Sequence, residues 1–440
     1  MKKFKIESIG YEIHKLAQDL WPINRSITGD GVRQTLSVLK NIIPDITIHE
    51  VATGTEVFDW IIPKEWKVND AYIITPNGTK ICSFKENNLH LVGYSIPINK
   101  KISLLELQNN LYSIPEQPTA IPYVTSYYQE RWGFCITQLM RDSLLDGEYE
   151  VYIDSALFNG SLTYGELLIK GKSKKEIFIS TYICHPSMAN NEISGPSVVT
   201  FISKWLLNQK RRFSYRIVFI PETIGSITYL SIHKDYLKSN VIAGYNVSCI
   251  GDNRNYSYLP SRNGNTISDT VAKHILKNFC CSFISYLWKD RGSDERQYCS
   301  PGIDLPIASI MRSKYATYDE YHTSLDDLVN VVTPDGLNGG FNVIKLAIET
   351  LENNLYPIST ILCEPQLGKR GLYPTISSKF STNKVRLMMD FISWSDGTKS
   401  LLDIAEKCEV PIWKLYPIVE ELYKLKLIKL YDENFFQIDI

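Results

Sequence analysis

Four polar residues stand where this chain could carry out hydrolytic chemistry. His185 opens the run HPSMANNEISG, Glu222 sits in PETIGS, Asp252 in GDN and His322 in EYHTSLDD. Two imidazoles and two carboxylates on loops suit a zinc site with a general base. That chemistry needs neutral or anionic ligands, an open position for water, and a carboxylate to take its proton. The spacings are long, and each residue also reads as a strand-end polar group or a helix cap. Cys184 beside His185 invites a nucleophile reading. Sequence neighbours at a strand end point to opposite faces, so a buried thiol is the better account. Ser194-Gly195 lacks the G-x-S-x-G elbow of a serine nucleophile and reads as a helix start. His14, His49, His90, His233 and His274 have no partner pattern and are read as structural.

The elements around these residues must bring them to one edge. From about 133 to 360, strand-like and helix-like runs alternate. EIFISTYICHP, RIVFIPE, VIAGYNVSCIGD and LPIASIM read as strands, and SGPSVVTFISKWLLNQK and SITYLSIHKDYLKS as helices. Such alternation predicts an α/β domain with a mostly parallel mixed sheet flanked by helices. Ligands in such sheets gather at the carboxyl ends of the strands, where His185, Glu222 and Asp252 fall. The first forty residues read as two helices. Ile9, Ile13, Leu16, Ala17 and Leu20 share one face of the first, before the break WPINRSITGDG. Residues 47–130 have a different texture, with short apolar runs between turns and a hairpin signal at Asn77-Gly78. The expected organisation is an α/β domain from 1–46 and 131–365, an inserted β-rich domain at 47–130, and a winged-helix domain at 371–440.

The chain has 440 residues, 44% of them hydrophobic, and 47 basic against 48 acidic side chains. Those values exclude a disordered chain, and the balance argues against a nucleic-acid coat or a polybasic membrane binder. No run approaches the ~18 apolar residues of a membrane span, and no secretory leader is expected. Nine cysteines without C-x-x-C spacing indicate a reduced, cytoplasmic chain. Between 371 and 440, nine positive side chains meet ten negative ones. That is a poor footprint for phosphate, so nucleic acid is not the expected partner of the winged helix. Pro417 inside PIWKLYPIVEELYKLK is also awkward for a recognition helix. Docking on the chain's own α/β domain, on a second copy, or on a protein partner is the expected role.

The series His185, N-x-x-S-G, Glu222, Asp252 and His-Thr, over roughly residues 146–355, resembles the zinc aminopeptidases of the di-zinc exopeptidase superfamily. WPINRSITGDGVRQTL, CHPSMAN, FIPETIGS, RGSDERQYCSPG and EYHTSLDDL more narrowly resemble a bacterial aminopeptidase-like family often encoded with polysaccharide-biosynthesis genes. The resemblance implies a zinc-exopeptidase-like sheet, with His185, Asp252 and His322 as metal ligands and Glu222 as the base. Two positions depart from that pattern. Asn191, followed by Glu192, stands where a bridging Asp is expected, and Thr223 where a ligand Glu is expected. A neutral amide cannot offset the repulsion of two dications, so one zinc per chain is the expectation. Asn191, Glu192, Arg291, Asp294 and Arg296 then become candidate substrate-facing residues, although RGSDER also reads as a surface salt-bridge loop. Arg25 is a candidate anion clamp or a neighbour of a helix start. The implied function is metal-dependent, aminopeptidase-type hydrolysis of an amide bond in a small, sugar-related substrate. A catalytically impaired binding or regulatory protein is the alternative.

Overall fold

The computed structural model describes residues 6–372 and 379–438. Residues 1–5, 373–378 and 439–440, which belong to the predicted α/β and winged-helix segments, lie outside the described residues. The chain divides into two compact units, residues 1–269 with 283–342, and residues 270–282 with 343–440.

The first unit is built on an eight-stranded mixed sheet. Its order is Thr47–Ala52, Ser161–Ile169, Ser214–Ile220, Glu176–Tyr182, Val241–Asn246, Ile307–Met311, Ser257–Leu259 and Ile284–Ser285. The four central strands run parallel. Thr47–Ala52 and Ser161–Ile169 join antiparallel at one side, and Ser257–Leu259 antiparallel at the other. Glu176–Tyr182 and Ser214–Ile220 are buried at every position. Both faces of such strands are covered, so their sequences read as near-continuous apolar runs. Arg216 interrupts one of them and is held from Nε to Glu176 Oε2 at 2.7 Å and from Nη2 to Oε1 at 3.0 Å. The helix Ile6–Leu20 buries Ile13, Leu16, Ala17 and Leu20, the face its spacing predicts. It packs on Ser194–Leu207, which in turn covers Glu176–Tyr182.

A second, four-stranded sheet has the order Lys80–Ile81, Glu65–Ile74, Glu148–Phe158 and Ile98–Ser103. The Asn77-Gly78 hairpin is present, with Gly78 at φ +82. Three of the strands contribute Trp66, Ile73, Ile102, Tyr149 and Val151, which lie in one core.

In the second unit, helices Lys379–Ser393, Leu401–Lys407 and Tyr416–Lys424 precede strands Ile428–Tyr431 and Gln437–Ile438. Tyr356–Ser359 completes a three-stranded sheet with them. Ser400 and Asp403 cap Leu401–Lys407 reciprocally. Pro417 does not interrupt a helix interior. A 3-10 turn at Ile412–Lys414 ends before it, and the proline falls in the first turn of Tyr416–Lys424, where its missing N–H is tolerated. Among the described residues no helix is long and apolar enough to cross a membrane, and all nine cysteines are free.

Candidate active site

The strand Glu176–Tyr182 delivers His185 three residues past its end, and Ser214–Ile220 delivers Glu222 two residues past its own. Because these strands are parallel neighbours, both side chains emerge at the same edge. His185 Nδ1–H donates to Glu192 Oε2 at 2.8 Å, and Nε2 faces Glu222 Oε2 at 3.7 Å. Glu192 lies in a π-helical turn, Ala189–Ile193, that runs directly into the helix Ser194–Leu207. Such turns recur at functional sites. Asp326 holds this one, accepting from Asn190 N at 2.7 Å and Asn191 N at 2.9 Å.

Arg25 runs underneath. Its Nε donates to His185 O at 2.9 Å and stands 3.4 Å from Glu192 Oε1, with the side chain 1% exposed. It is the buried counter-charge of Glu192 rather than a surface clamp. Burial presses the His185 imidazole toward its neutral form; the hydrogen-bonded Glu192 outweighs this and raises its pKa well above the usual value. Burial raises the Glu222 pKa against the pull of His185 and of Ser293, whose hydroxyl donates to Glu222 Oε1 at 2.6 Å. A carboxylate shifted this way is better matched to proton transfer near neutrality.

His322 closes the other side, with its ring centroid 5.6 Å from that of His185. Tyr321 stacks on it at 3.9 Å and Tyr123 meets it edge-on at 5.1 Å. Burial and the neighbouring His185 lower its pKa to about 3, so it is a neutral imidazole. Its backbone is fixed from the segment before residue 130, where Tyr123 N donates to His322 O at 2.8 Å and Ile121 O accepts from Ser324 N at 2.9 Å. Tyr123, Tyr182 and Ser293 border the site, and sequence reasoning did not single them out. Tyr182 carried a signal, since it lies one side-chain alternation from Cys184 on an all-buried strand.

The remaining predicted residues take other places. Asp252 was expected as a metal ligand, but both its oxygens are filled. Oδ2 accepts from Asn190 Nδ2 at 3.0 Å and Ser313 N at 2.8 Å; Oδ1 accepts from Arg254 N at 2.8 Å and Ser313 Oγ at 3.1 Å. Asp294 is buried and caps the helix Ile224–Asn240, accepting from Thr223 N and Ser226 Oγ, both at 2.7 Å. Arg291 stacks on Trp288, 5.0 Å from its ring centroid. Arg296 Nη2 donates to Thr223 Oγ1 at 3.0 Å at the exposed rim. Asn191 Oδ1 accepts weakly from Tyr182 OH at 3.3 Å, and its Nδ2 is buried without a partner.

The donor set decides what metal these residues could hold. Asn191 offers no charge, Thr223 faces a guanidinium, and Asp252 has no free lone pair in easy reach, so two neighbouring dications do not fit. One ion does. His185 Nε2 has no hydrogen-bond partner, and a metal there would displace its proton while Glu192 holds Nδ1, an arrangement that orients metal-binding imidazoles and makes them more basic. Among the described residues the ring nitrogens of His322 have no hydrogen-bond partner, and Glu222 opens onto the same space. Cys184, His185 and Glu192 lie close enough to suggest a cage. Cys184 and Glu192 instead both meet His185 Nδ1, with Arg25 ion-paired to Glu192, and burial pushes the Cys184 thiol up to about 11, leaving it protonated and a poor ligand.

Sheet order and site together define a member of the aminopeptidase-like α/β class. Residues 14–354 match the family described as a domain of unknown function, DUF4910, and residues 355–430 match a winged helix-turn-helix. The chain belongs to that DUF4910 family. It is 45% identical over 424 residues, 96% of each chain, to a Clostridium acetobutylicum protein named as a candidate polysaccharide biosynthesis protein with an aminopeptidase-like domain. A crystal structure of a candidate peptidase from Clostridium acetobutylicum superposes with TM-score 0.91 at 43% identity, covering 97% of both chains. A zinc aminopeptidase from Bacillus subtilis shares the fold at TM-score 0.57 and 11% identity, covering 79% of this chain and 95% of its own. A peptidase M28 precursor from Shewanella amazonensis does so at TM-score 0.54 and 14% identity, covering 82% and 97%.

Proposed function

We propose that the chain is an aminopeptidase-type hydrolase that cleaves an amide bond in a small, sugar-related substrate. One arrangement carries this reading: Glu192, His185 and Glu222 in line, with Nδ1 of the imidazole held at 2.8 Å and Nε2 open toward Glu222 at 3.7 Å. Glu222 is the general base. Ser293 fixes one of its oxygens, and the other faces the gap between the two imidazoles, where it can take a proton from water and return it to the departing amine. Glu192 keeps the His185 ring oriented, and Arg25 stands 3.4 Å from the other Glu192 oxygen, with both side chains buried. Tyr123, Tyr182 and Tyr321 restrict water on three sides. His185 and His322 would hold a single zinc ion, which when bound supplies a Lewis acid for the scissile carbonyl and lowers the pKa of water. With Glu222 reserved as base, only two protein ligands remain, one fewer than in the usual catalytic zinc site. Metal affinity is therefore expected to be low and the ion readily removed by chelators.

The sugar-related class is supported by the name of the Clostridium relative, and an aminoacylated or amino sugar matches both that name and the amide chemistry. The winged-helix unit, with its balanced charge, is assigned to protein contact, with a partner or a second copy. The first experiment is a screen of aminoacyl and N-acyl amino sugars with wild type, Glu222→Gln, and a His185→Ala, His322→Ala double variant. Turnover in wild type alone, with zinc content falling in the double variant, is the expected result. Undiminished turnover in Glu222→Gln overturns the mechanism. Asn191 and the filled lone pairs of Asp252 favour a second reading, a binding protein that has lost catalysis. Ligand binding without turnover, unchanged by Glu222→Gln, would establish it.

A further inference from the structure

The hairpin Glu56–Val57 and Trp60–Ile61 turns on two residues, Phe58 and Asp59. Phe58 sits at φ +57 and is 56% exposed. Of the two turn residues only Phe58 has positive φ, and a two-residue hairpin of that kind prefers Gly at its first position. An aromatic side chain there is backbone-strained and unburied, so neither local conformation nor packing accounts for it. Strain of that kind is retained where the surroundings use it. Trp60, two residues on, is 37% exposed and meets exposed Tyr128 edge-on at 5.9 Å.

The hairpin packs against the helix Ile224–Asn240. Between them and Pro301–Ile303 lies a cleft of about 380 Å³. Phe58 and Trp60 form its aromatic wall, Ile227 and Leu230 its floor, and Asp59 and Gln297 polar points on its rim. Ile227 and Leu230, three residues apart, share one face of the helix near its start, and Thr223 is its N-cap. Thr223 directly follows Glu222, and Arg296, which binds Thr223, directly precedes Gln297. The cleft therefore lies along the helix whose N-terminus adjoins Glu222.

We infer that this cleft is a subsite for a pyranose ring of the substrate. The inference rests on the hydrolase reading for its link to catalysis, but not for its binding chemistry. A sugar ring has an apolar C–H face that stacks on exposed aromatic rings and an edge of hydroxyls that needs donors and acceptors. Phe58 and Trp60 supply the first. Asp59 as acceptor and Gln297 as both supply the second. A purely apolar ligand would leave those rim groups without partners.

The test is saturation-transfer NMR with methyl glycosides of glucosamine and N-acetylglucosamine, and leucinamide as an apolar amine control. It uses the full chain as wild type, Trp60→Ala, Phe58→Asn and Glu222→Gln. The glycosides are expected to bind wild type and Glu222→Gln alike, and both cleft variants at least about tenfold more weakly. Phe58→Asn is expected to keep or raise the melting temperature, because Asn tolerates positive φ better than an aromatic residue. It thus separates lost binding from lost folding. Glycoside binding that is absent, or equal in all four proteins, overturns the subsite, as does Trp60-dependent binding of leucinamide alone. If Glu222→Gln retains turnover while glycoside binding still depends on Trp60, the hydrolase mechanism falls and the subsite stands.

Discussion

The turn Ala189–Ile193 faces two polar neighbourhoods that share one backbone and differ in how completely their hydrogen bonds are made. On the Asn190 side everything is closed. Asp252 takes four donors, and Asp326 takes two backbone N–H groups and the Tyr318 hydroxyl at 2.9 Å. On the Glu192 side the network is open. Asn191 Nδ2 and Arg25 Nη2 are buried without partners, and His185 Nε2 and one Glu222 oxygen face each other across a gap too long for a hydrogen bond. Fully satisfied buried networks fix a unique backbone, whereas unsatisfied buried groups call for a functional account. On the proposed hydrolase reading the closed side is the scaffold and the open side the reactive half, although carboxylates are present in both.

Substitutions at the two sides should separate rate from stability. The largest expected effect is Glu222→Gln, which keeps the shape and the Ser293 contact and should lower kcat by about 10³-fold with the melting temperature unchanged. A variant that lost stability in proportion would erase the contrast. Next comes Asp252→Ala, which strands Asn190 Nδ2 and the Ser313 and Arg254 amides. It should cost about 2–4 kcal/mol in denaturant unfolding, and any loss of rate should follow the loss of folded protein. Glu192→Gln is intermediate in kind. It keeps a hydrogen bond to His185 but removes the charge, and should weaken zinc binding by about 10–100-fold in a competition titration. If zinc affinity did not move, the Glu192–His185 pair would belong with the scaffold.

The smallest effect tests the contrast in the winged-helix unit. His274 is a closed counterpart of His322. Nδ1 bonds to Glu406 at 2.5 Å, and Nε2 accepts from Ile412 N at 3.0 Å. Burial lowers its pKa against the opposing pull of Glu406. The unfolded chain then takes up a proton below about pH 6.5 that the folded unit resists. Stability should be full above that pH and fall as the pH drops toward the lowered folded value. His274→Gln should flatten that dependence in urea melts at a series of pH values.

Much of this was legible from residue order. The all-buried parallel strands show as unbroken apolar runs, and His185 and Glu222 follow such runs closely enough that strand direction places them at one edge. Asp252 lies six residues beyond Val241–Asn246. Across that distance the alternation of side chains is lost, so its orientation could not be read and the ligand role expected for it does not match its four hydrogen bonds. Pro417 misled because a turn and a helix abut without a polar break between them. Tyr123 and Ser293 reach the site through chain segments distant in sequence, and no local pattern announces such a contact.

The π-helical turn at Ala189–Ile193 also bears on how this site could change. A helix advances about 100° per residue, and a π turn holds one residue more than its α counterpart. Deleting a single residue there would restore α geometry and rotate the preceding side chains by that angle. Glu192 would turn away from His185, and a neighbour would turn toward it. The identity of the group behind the imidazole is thus written in register as well as in residue type. One insertion or deletion could exchange the contents of the site while leaving the sheet, its core and the surrounding loops in place.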